Sequence, residues 1–98
     1  MTYRLDIGYT YYPHPKKASF GGEDAFAVAH NSFSDRYMIA IADGVGSWLD
    51  RRGVSAGDFA RELTYHADRK FLDTDGEVDS MELAKDSFHA TDQIGSTT

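Results

Sequence analysis

The chain has 98 residues, 41% of them hydrophobic and 13% aromatic, which predicts one small domain or a piece of a larger one. Its 16 acidic and 10 basic residues give a net charge of −6, and the basic residues are scattered in short pairs. These features argue against a nucleic-acid or membrane partner, because phosphate surfaces require clustered Lys and Arg. The absence of cysteine excludes disulfides, thiolate zinc sites and cysteine nucleophiles.

The N-terminal third begins with a Tyr- and Thr-rich segment. Residues 3–12 alternate loosely between apolar and polar side chains, a pattern that predicts a β-strand. Residues 13–22 contain two prolines and a Gly-Gly pair, which indicate a loop. We therefore expect one strand and one connection before the first acidic pair.

Two mostly apolar runs follow, at residues 24–30 and 37–43, and a turn-rich link joins them. This spacing predicts an antiparallel hairpin. Large side chains share one face of each run and alanines share the other, so a central hairpin covered on both sides is expected. In the register that keeps like faces together, Asp24 lies opposite Asp43.

Two helices are predicted after a connecting loop that contains Trp48. The first covers residues 55–72, with Ser55 as N-cap and an apolar stripe. An acidic turn leads to the second helix, residues 80–93, with Gly95 as the C′ residue. The stripe of the first helix is Ala56, Phe59, Ala60, Leu63, Ala67 and Phe71, and that of the second is Leu83, Ala84, Ser87, Phe88 and Thr91.

The opposed carboxylates of Asp24 and Asp43 need an explanation, because like charges directly opposite each other are destabilising. They are solvated strand ends, a dyad that shares a proton, or ligands of a bound cation. Glu23 beside Asp24, and Gly44, whose carbonyl can approach an ion closely, favour the cation. Oxygen ligands alone indicate a hard ion, namely magnesium, manganese or calcium.

The chain resembles the metal-dependent protein serine/threonine phosphatases of the PPM (type 2C) family. The resemblance rests on Gly-Glu-Asp-Ala-Phe at residues 22–26, Ile-Ala-Asp-Gly-Val-Gly-Ser-Trp at residues 41–48, Gly-Val at 53–54 before a helix, and Gly-Ser-Thr-Thr at 95–98. It is closest to the mitochondrial and plant branch that carries Asp-Gly-Val-Gly. It covers nearly the whole chain but only the N-terminal part of the family's domain.

The resemblance implies an α+β fold, the N-terminal part of an α-β-β-α sandwich that residues 1–98 leave incomplete. It also implies two manganese or magnesium ions and a phosphoprotein substrate. By analogy, Asp43 and Asp24 are the catalytic residues: Asp43 bridges the ions, the Gly44 carbonyl binds one, and Glu23 and Asp24 act through water. An intracellular location follows as an expectation, in the cytoplasm or in an organelle such as the mitochondrion.

Two positions depart from the family pattern. Ser19 stands where many members have a phosphate-binding Arg, for which Lys16 and Lys17 are candidate replacements. Val45 stands where many members have a His that is a candidate general acid. The resemblance also implies that further Asp ligands come from the C-terminal half of the family's domain, so we predict phosphoprotein phosphatase activity for the domain and no activity for this chain alone. The alternatives are a non-catalytic module that binds a partner or a regulatory metal, and a structural calcium site.

Overall fold

The computed structural model describes residues 5–20, 22–45, 55–93 and 95–97, without the side chains of residues 19 and 20. A two-stranded antiparallel sheet and two α-helices form the fold, so the predicted α+β class is confirmed. Its elements are a 3₁₀ helix Pro15–Phe20, strands β1 Asp24–Asn31 and β2 Arg36–Asp43, and helices α1 Ala56–Leu72 and α2 Ser80–Ala90. The Trp48 loop lies outside the described residues. Among those described, no helix is long and apolar enough to cross a membrane.

The predicted N-terminal strand is wrong for the residues described, because residues 5–14 form no regular element. Side-chain contacts hold this segment instead of a backbone ladder. The rings of Tyr9 and Tyr11 lie 5.0 and 6.1 Å from the ring of Phe26, and the Tyr11 hydroxyl donates to the Asp24 carbonyl at 3.2 Å. Tyr9 and Tyr11 therefore serve aromatic packing onto β1. The loop predicted after it contains the 3₁₀ helix Pro15–Phe20.

The hairpin is confirmed, and so is its register, which pairs Asp24 with Asp43 and continues to Asn31 with Arg36. The turn forms because the Asn31 side chain accepts hydrogen bonds from the backbone N–H groups of Phe33 and Ser34. Asp35 then takes a left-handed conformation with φ of 51°, which Asp tolerates better than most residues. These contacts place both acidic ends at the opposite end of the hairpin.

The two faces of the hairpin differ, as their residue sizes predicted. The alanine face is buried against α1, where Ala25, Ala42 and Ala60 form the centre of the core. The face with large side chains is open in the part of the chain that the structure describes: Ile39 is 61% exposed and Ile41 is 75% exposed. The prediction that both faces are covered is therefore wrong for the described residues, where the second face has only Tyr9 and Tyr11 packed on Phe26 and no second layer.

Helix α1 begins one residue after its predicted cap. The Ser55 hydroxyl accepts a hydrogen bond from the Asp58 N–H, which satisfies one of the free donors of the first turn. The predicted stripe is buried at Phe59, Ala60 and Phe71, and Ala60 packs against Ala25 and Ala42 of the sheet. The alanines of both elements allow the helix to approach the sheet closely.

Helix α2 is shorter than predicted and ends at Ala90, with Thr91 as its cap. Ser87 is buried, but Ala84 and Phe88 are exposed, so the predicted stripe is only partly correct. Gly95 is not a C′ residue, since the helix has already ended. It lies against Phe59, and an added Cβ would meet that ring at 2.8 Å.

Candidate metal centre

The acidic end of the hairpin brings Asp24 and Asp43 together as directly opposed residues. The next pair outward is joined by a hydrogen bond from the Gly44 N–H to the Glu23 carbonyl at 3.1 Å. Because hydrogen-bonded and non-hydrogen-bonded pairs alternate in an antiparallel ladder, Asp24 and Asp43 form a non-hydrogen-bonded pair. In such pairs the side chains lie closest, so the register itself forces the two carboxylates into contact.

The proximity of these carboxylates changes the acidity of Asp24. Partial burial raises its pKa, and hydrogen bonding and charge repulsion from Asp43 raise it further, whereas the Lys17 ammonium lowers it. The charged form of the pair is therefore disfavoured in the folded chain. A divalent cation between the carboxylates would remove that cost.

Lys17 is a basic residue that the structure brings to this acidic end. Its ammonium forms an ion pair with a carboxylate oxygen of Glu23, whose side chain is 13% exposed. The spacing of the two residues suggested no contact, since six positions separate them. The contact forms because the 3₁₀ helix turns the chain back, and the Gly22 N–H then donates to the Lys17 carbonyl at 2.9 Å.

The backbone after Asp43 is fixed by the end of the described chain. The Thr97 hydroxyl donates to the Asp43 carbonyl at 2.8 Å, and Gly44 bridges with Thr97 in antiparallel fashion. Gly44 is buried, and a Cβ at this position would lie 2.5 Å from the Glu23 carbonyl and 2.6 Å from that of Ala56. Only glycine fits. Sequence reasoning missed this role of Thr97, because the contact joins residues 54 positions apart.

The available donors suit a hard cation, since they are carboxylate and carbonyl oxygens. Within the ranges the structure describes, no group of three or more His, Cys, Asp or Glu side chains is arranged to hold a metal ion. Asp24 and Asp43 meet, while the Glu23 carboxylate is engaged by Lys17. The residues therefore fit part of a site, with fewer oxygens than the six or more that such ions take.

The groove beside the pair is open and mixed in character. It has a volume of about 450 Å³ and is lined by residues 7–12, by the open face of the hairpin, and by Asp24 and Asp43. Two features used in the sequence analysis lie outside the described part of the chain. They are the Ser19 side chain and residues 46–48.

Comparison with known proteins gives a consistent result, although no protein-family model matches the chain. The chain is 38% identical over 94 residues to the probable protein phosphatase 2C 1 of Oryza sativa subsp. japonica, covering 96% of this chain and 27% of that protein. It is 47% identical over 60 residues to the probable protein phosphatase 2C 80 of Arabidopsis thaliana, covering 61% of this chain and 13% of that protein. A solved structure, the photosystem II phosphatase PBCP, superposes with a TM-score of 0.73 at 42% identity, covering 89% of this chain and 33% of that one.

The described fold is an antiparallel hairpin packed on α1, with α2 against α1 and a carboxylate pair at one end of the hairpin. The chain belongs to the protein phosphatase 2C family of protein serine/threonine phosphatases and matches the N-terminal portion of its domain. It spans 27% of the rice relative and 33% of the solved phosphatase.

Proposed function

We propose that residues 1–98 form the N-terminal portion of a single PPM-type domain that hydrolyses phosphoserine and phosphothreonine in proteins with manganese or magnesium. The observation that carries this proposal is the forced contact of Asp24 and Asp43 at the acidic end of the hairpin. The alignment of 96% of the chain with a probable protein phosphatase 2C, at 38% identity, supports it.

The proposal gives the acidic residues different tasks. Asp43 and the Gly44 carbonyl bind metal directly, and Asp24 and Glu23 contribute through water. When bound, the metal ions supply Lewis-acid activation and neutralise charge on the phosphoryl group. The chain's own contribution is positional: the hairpin register sets the distance between the carboxylates, and the Thr97 hydroxyl fixes the backbone at Asp43.

The experiment compares the 98-residue chain with a completed domain, in which the remainder of the rice relative follows it. We expect no hydrolysis of p-nitrophenyl phosphate or a phosphothreonine peptide by the chain alone, because the described residues supply only part of a metal centre. The completed domain should be active with Mn²⁺. Asp43→Asn should lower that activity at least a hundredfold.

The matched control is Asp86→Asn, which removes one exposed carboxylate on α2 and should leave activity within about twofold. Circular dichroism confirms that each variant is folded. Manganese-dependent hydrolysis by the 98-residue chain would contradict its incompleteness. A folded, inactive completed domain would contradict the proposed reaction.

A non-catalytic module that binds a partner or a regulatory metal is the second candidate. It is favoured by Val45 and Ser19, which stand where many family members have a candidate general acid and a phosphate-binding residue. Calorimetry separates the two functions: a completed domain that binds Mn²⁺ through Asp43 without hydrolysing either substrate supports the module. The same calorimetry with Ca²⁺ tests for a structural calcium site.

A further inference from the structure

Lys17 is placed at the acidic end of the hairpin by contacts on both sides of Gly22. The Gly22 N–H binds the Lys17 carbonyl, and Gly22 adopts a φ of 78°, a left-handed conformation that glycine accepts readily. From the other side, Arg61 donates to the Gly22 carbonyl at 3.5 Å, and a Cβ at Gly57 would lie 2.2 Å from the same oxygen. The position of Lys17 relative to Glu23 is therefore built into the fold.

The charges at this end explain what the lysine does. Asp24, Asp43 and Glu23 bring three carboxylates to neighbouring positions, and Lys17 brings an ammonium group. Lys17 forms an ion pair with Glu23. The Glu23 side chain is 13% exposed, and the Lys17 side chain is 43% exposed. Lys16 is also exposed but forms no ion pair with a described residue.

The engagement of Glu23 has a consequence for metal binding. Among the described residues Asp24 and Asp43 meet without a third carboxylate, and the carboxylate of Glu23, the residue before Asp24, is held by Lys17. A divalent ion at the pair repels the ammonium and attracts the Glu23 carboxylate. Both effects oppose the Lys17–Glu23 contact.

We propose that Lys17 is a resident counter-cation of the metal centre: it holds Glu23 in the metal-free chain, and an incoming divalent ion displaces it to recruit that carboxylate. The inference rests on the metal site of the proposed function and adds a residue that sets its affinity. Because 43% of the Lys17 side chain is exposed, the displaced ammonium can move into solvent while Glu23 stays in place.

The test measures the Mn²⁺ affinity of the completed domain by calorimetry at low ionic strength, since the described residues of the 98-residue chain supply only part of the metal centre. Lys17→Met should bind Mn²⁺ about three- to tenfold more tightly than the unmodified domain, because one repulsive charge and one competing ion pair are gone. Lys17→Arg, which keeps the charge, should bind as the unmodified domain does. Lys16→Met is the matched control, since it makes the same change in net charge one residue away, and its affinity should change less than twofold.

A second readout follows the side chains themselves. In NMR titrations with diamagnetic Mg²⁺, the Lys17 side-chain and Glu23 carboxylate resonances should shift together with those of Asp24 and Asp43, while Lys16 stays unchanged. Equal affinities for Lys17→Met and Lys16→Met, or weaker binding by Lys17→Met, overturns the role of Lys17 while leaving the metal site intact. Mn²⁺ binding that is absent, or is unaffected by Asp43→Asn, overturns the metal site and the inference with it.

Discussion

At the scale of single residues, the Asp24–Asp43 contact is a cost that the fold accepts. The hairpin register that buries Ala25 and Ala42 against α1 also places these two carboxylates in direct opposition. A slip of one residue would separate the charges, but it would also turn the alanine face away from the helix. Packing therefore fixes the register, and the acidic pair is a consequence of it; protonation or a bound cation would relieve the repulsion.

Replacement of Asp24 by Asn should stabilise the metal-free chain at neutral pH. The pKa of Asp24 is raised by partial burial and by Asp43, so its charged form is less favourable in the folded chain than in the unfolded one. We expect the free energy of unfolding to rise by about 0.2–1 kcal/mol, the range for cross-strand pairs. Urea denaturation at a series of pH values measures this.

The pH dependence has a definite sign. A raised pKa means that the destabilisation is present above the folded-state pKa and fades as pH falls through that value to the ordinary value of 3.8. The benefit of Asp24→Asn should therefore disappear in acid. Asp86→Asn, on exposed α2, serves as control, and a benefit of Asp24→Asn that is the same at pH 3 and pH 7 would contradict the electrostatic explanation.

Gly44→Ala should destabilise the chain because its Cβ would meet two backbone carbonyl oxygens, those of Glu23 and Ala56, at 2.5 and 2.6 Å. Neither oxygen can move without shifting β1 or α1. We expect a loss of about 1–3 kcal/mol, as for other overpacked sites. The control is Gly76→Ala, where nothing lies within 4 Å, and calorimetric melting compares the two. Equal melting temperatures would show that the backbone at Gly44 is not tightly held.

At the scale of elements, the local sequence pattern correctly predicted the hairpin and the start of α1, which depend on contacts between residues close in sequence. The hairpin register followed from the alternation of large and small residues, and the start of α1 followed from Ser55 and its hydrogen bond to Asp58. The N-terminal strand failed because its tyrosines pack on Phe26 as side chains, without a backbone ladder. The alternation of residues in a Tyr-rich segment does not distinguish a β-strand from an irregular segment whose side chains pack on a sheet.

Contacts between distant residues were beyond the reach of sequence patterns. The Lys17–Glu23 ion pair depends on a 3₁₀ helix that the sequence pattern did not predict. The Thr97–Asp43 hydrogen bond forms because the chain returns to the hairpin after α2. Gly95 shows the same limit: its position after a helix suggested a cap, while its actual role is to accommodate the Phe59 ring. The acidic pair was predicted, but not the groups that hold it.

Glu62 joins α1 to the segment that follows α2. Its carboxylate accepts the backbone N–H groups of Asp92 and Gln93 at 3.0 and 3.1 Å, and the bond from Asp92 is the main reason that its pKa is lowered. Glu62→Gln should lower the melting temperature at pH 7 and speed hydrogen exchange at both amides. A depressed pKa gives stability that is present above the ordinary value of 4.5 and is lost as pH falls through the folded-state pKa.

The difference between Glu62→Gln and the unmodified chain should therefore shrink in acid. Glu82→Gln is the control, because Glu82 lies on exposed α2 with Lys85 4.0 Å away and should have little effect. Unchanged exchange at Asp92 and Gln93 in Glu62→Gln would mean that other contacts hold this segment.

At the scale of the whole molecule, the sheet is covered on one side only among the residues described. Ile39 and Ile41 are 61% and 75% exposed, on the face that borders the groove beside the acidic pair. A contiguous apolar patch on a small chain usually marks a surface that another surface covers. The similarity to one third of a solved phosphatase is consistent with a sheet face that belongs to a larger core.

The 98-residue chain should therefore self-associate through this face. Replacing Ile39 and Ile41 together by Thr should weaken the association at least tenfold in sedimentation equilibrium, because both side chains are removed from the contact. Met81→Thr, at a residue 64% exposed on α2, controls for loss of exposed apolar surface elsewhere. A chain that remains monomeric at every concentration would contradict this expectation.

The bond from Thr97 to Asp43 leads to an expectation about the order of folding. Closing a contact across 54 positions requires the intervening chain to be largely collapsed, so the backbone at Asp43 reaches its final form late in folding. During synthesis, the hairpin and α1 can form while residues 95–97 are still inside the ribosome. The end of the hairpin that carries Asp24 and Asp43 would then take its final form after the rest of the hairpin and α1.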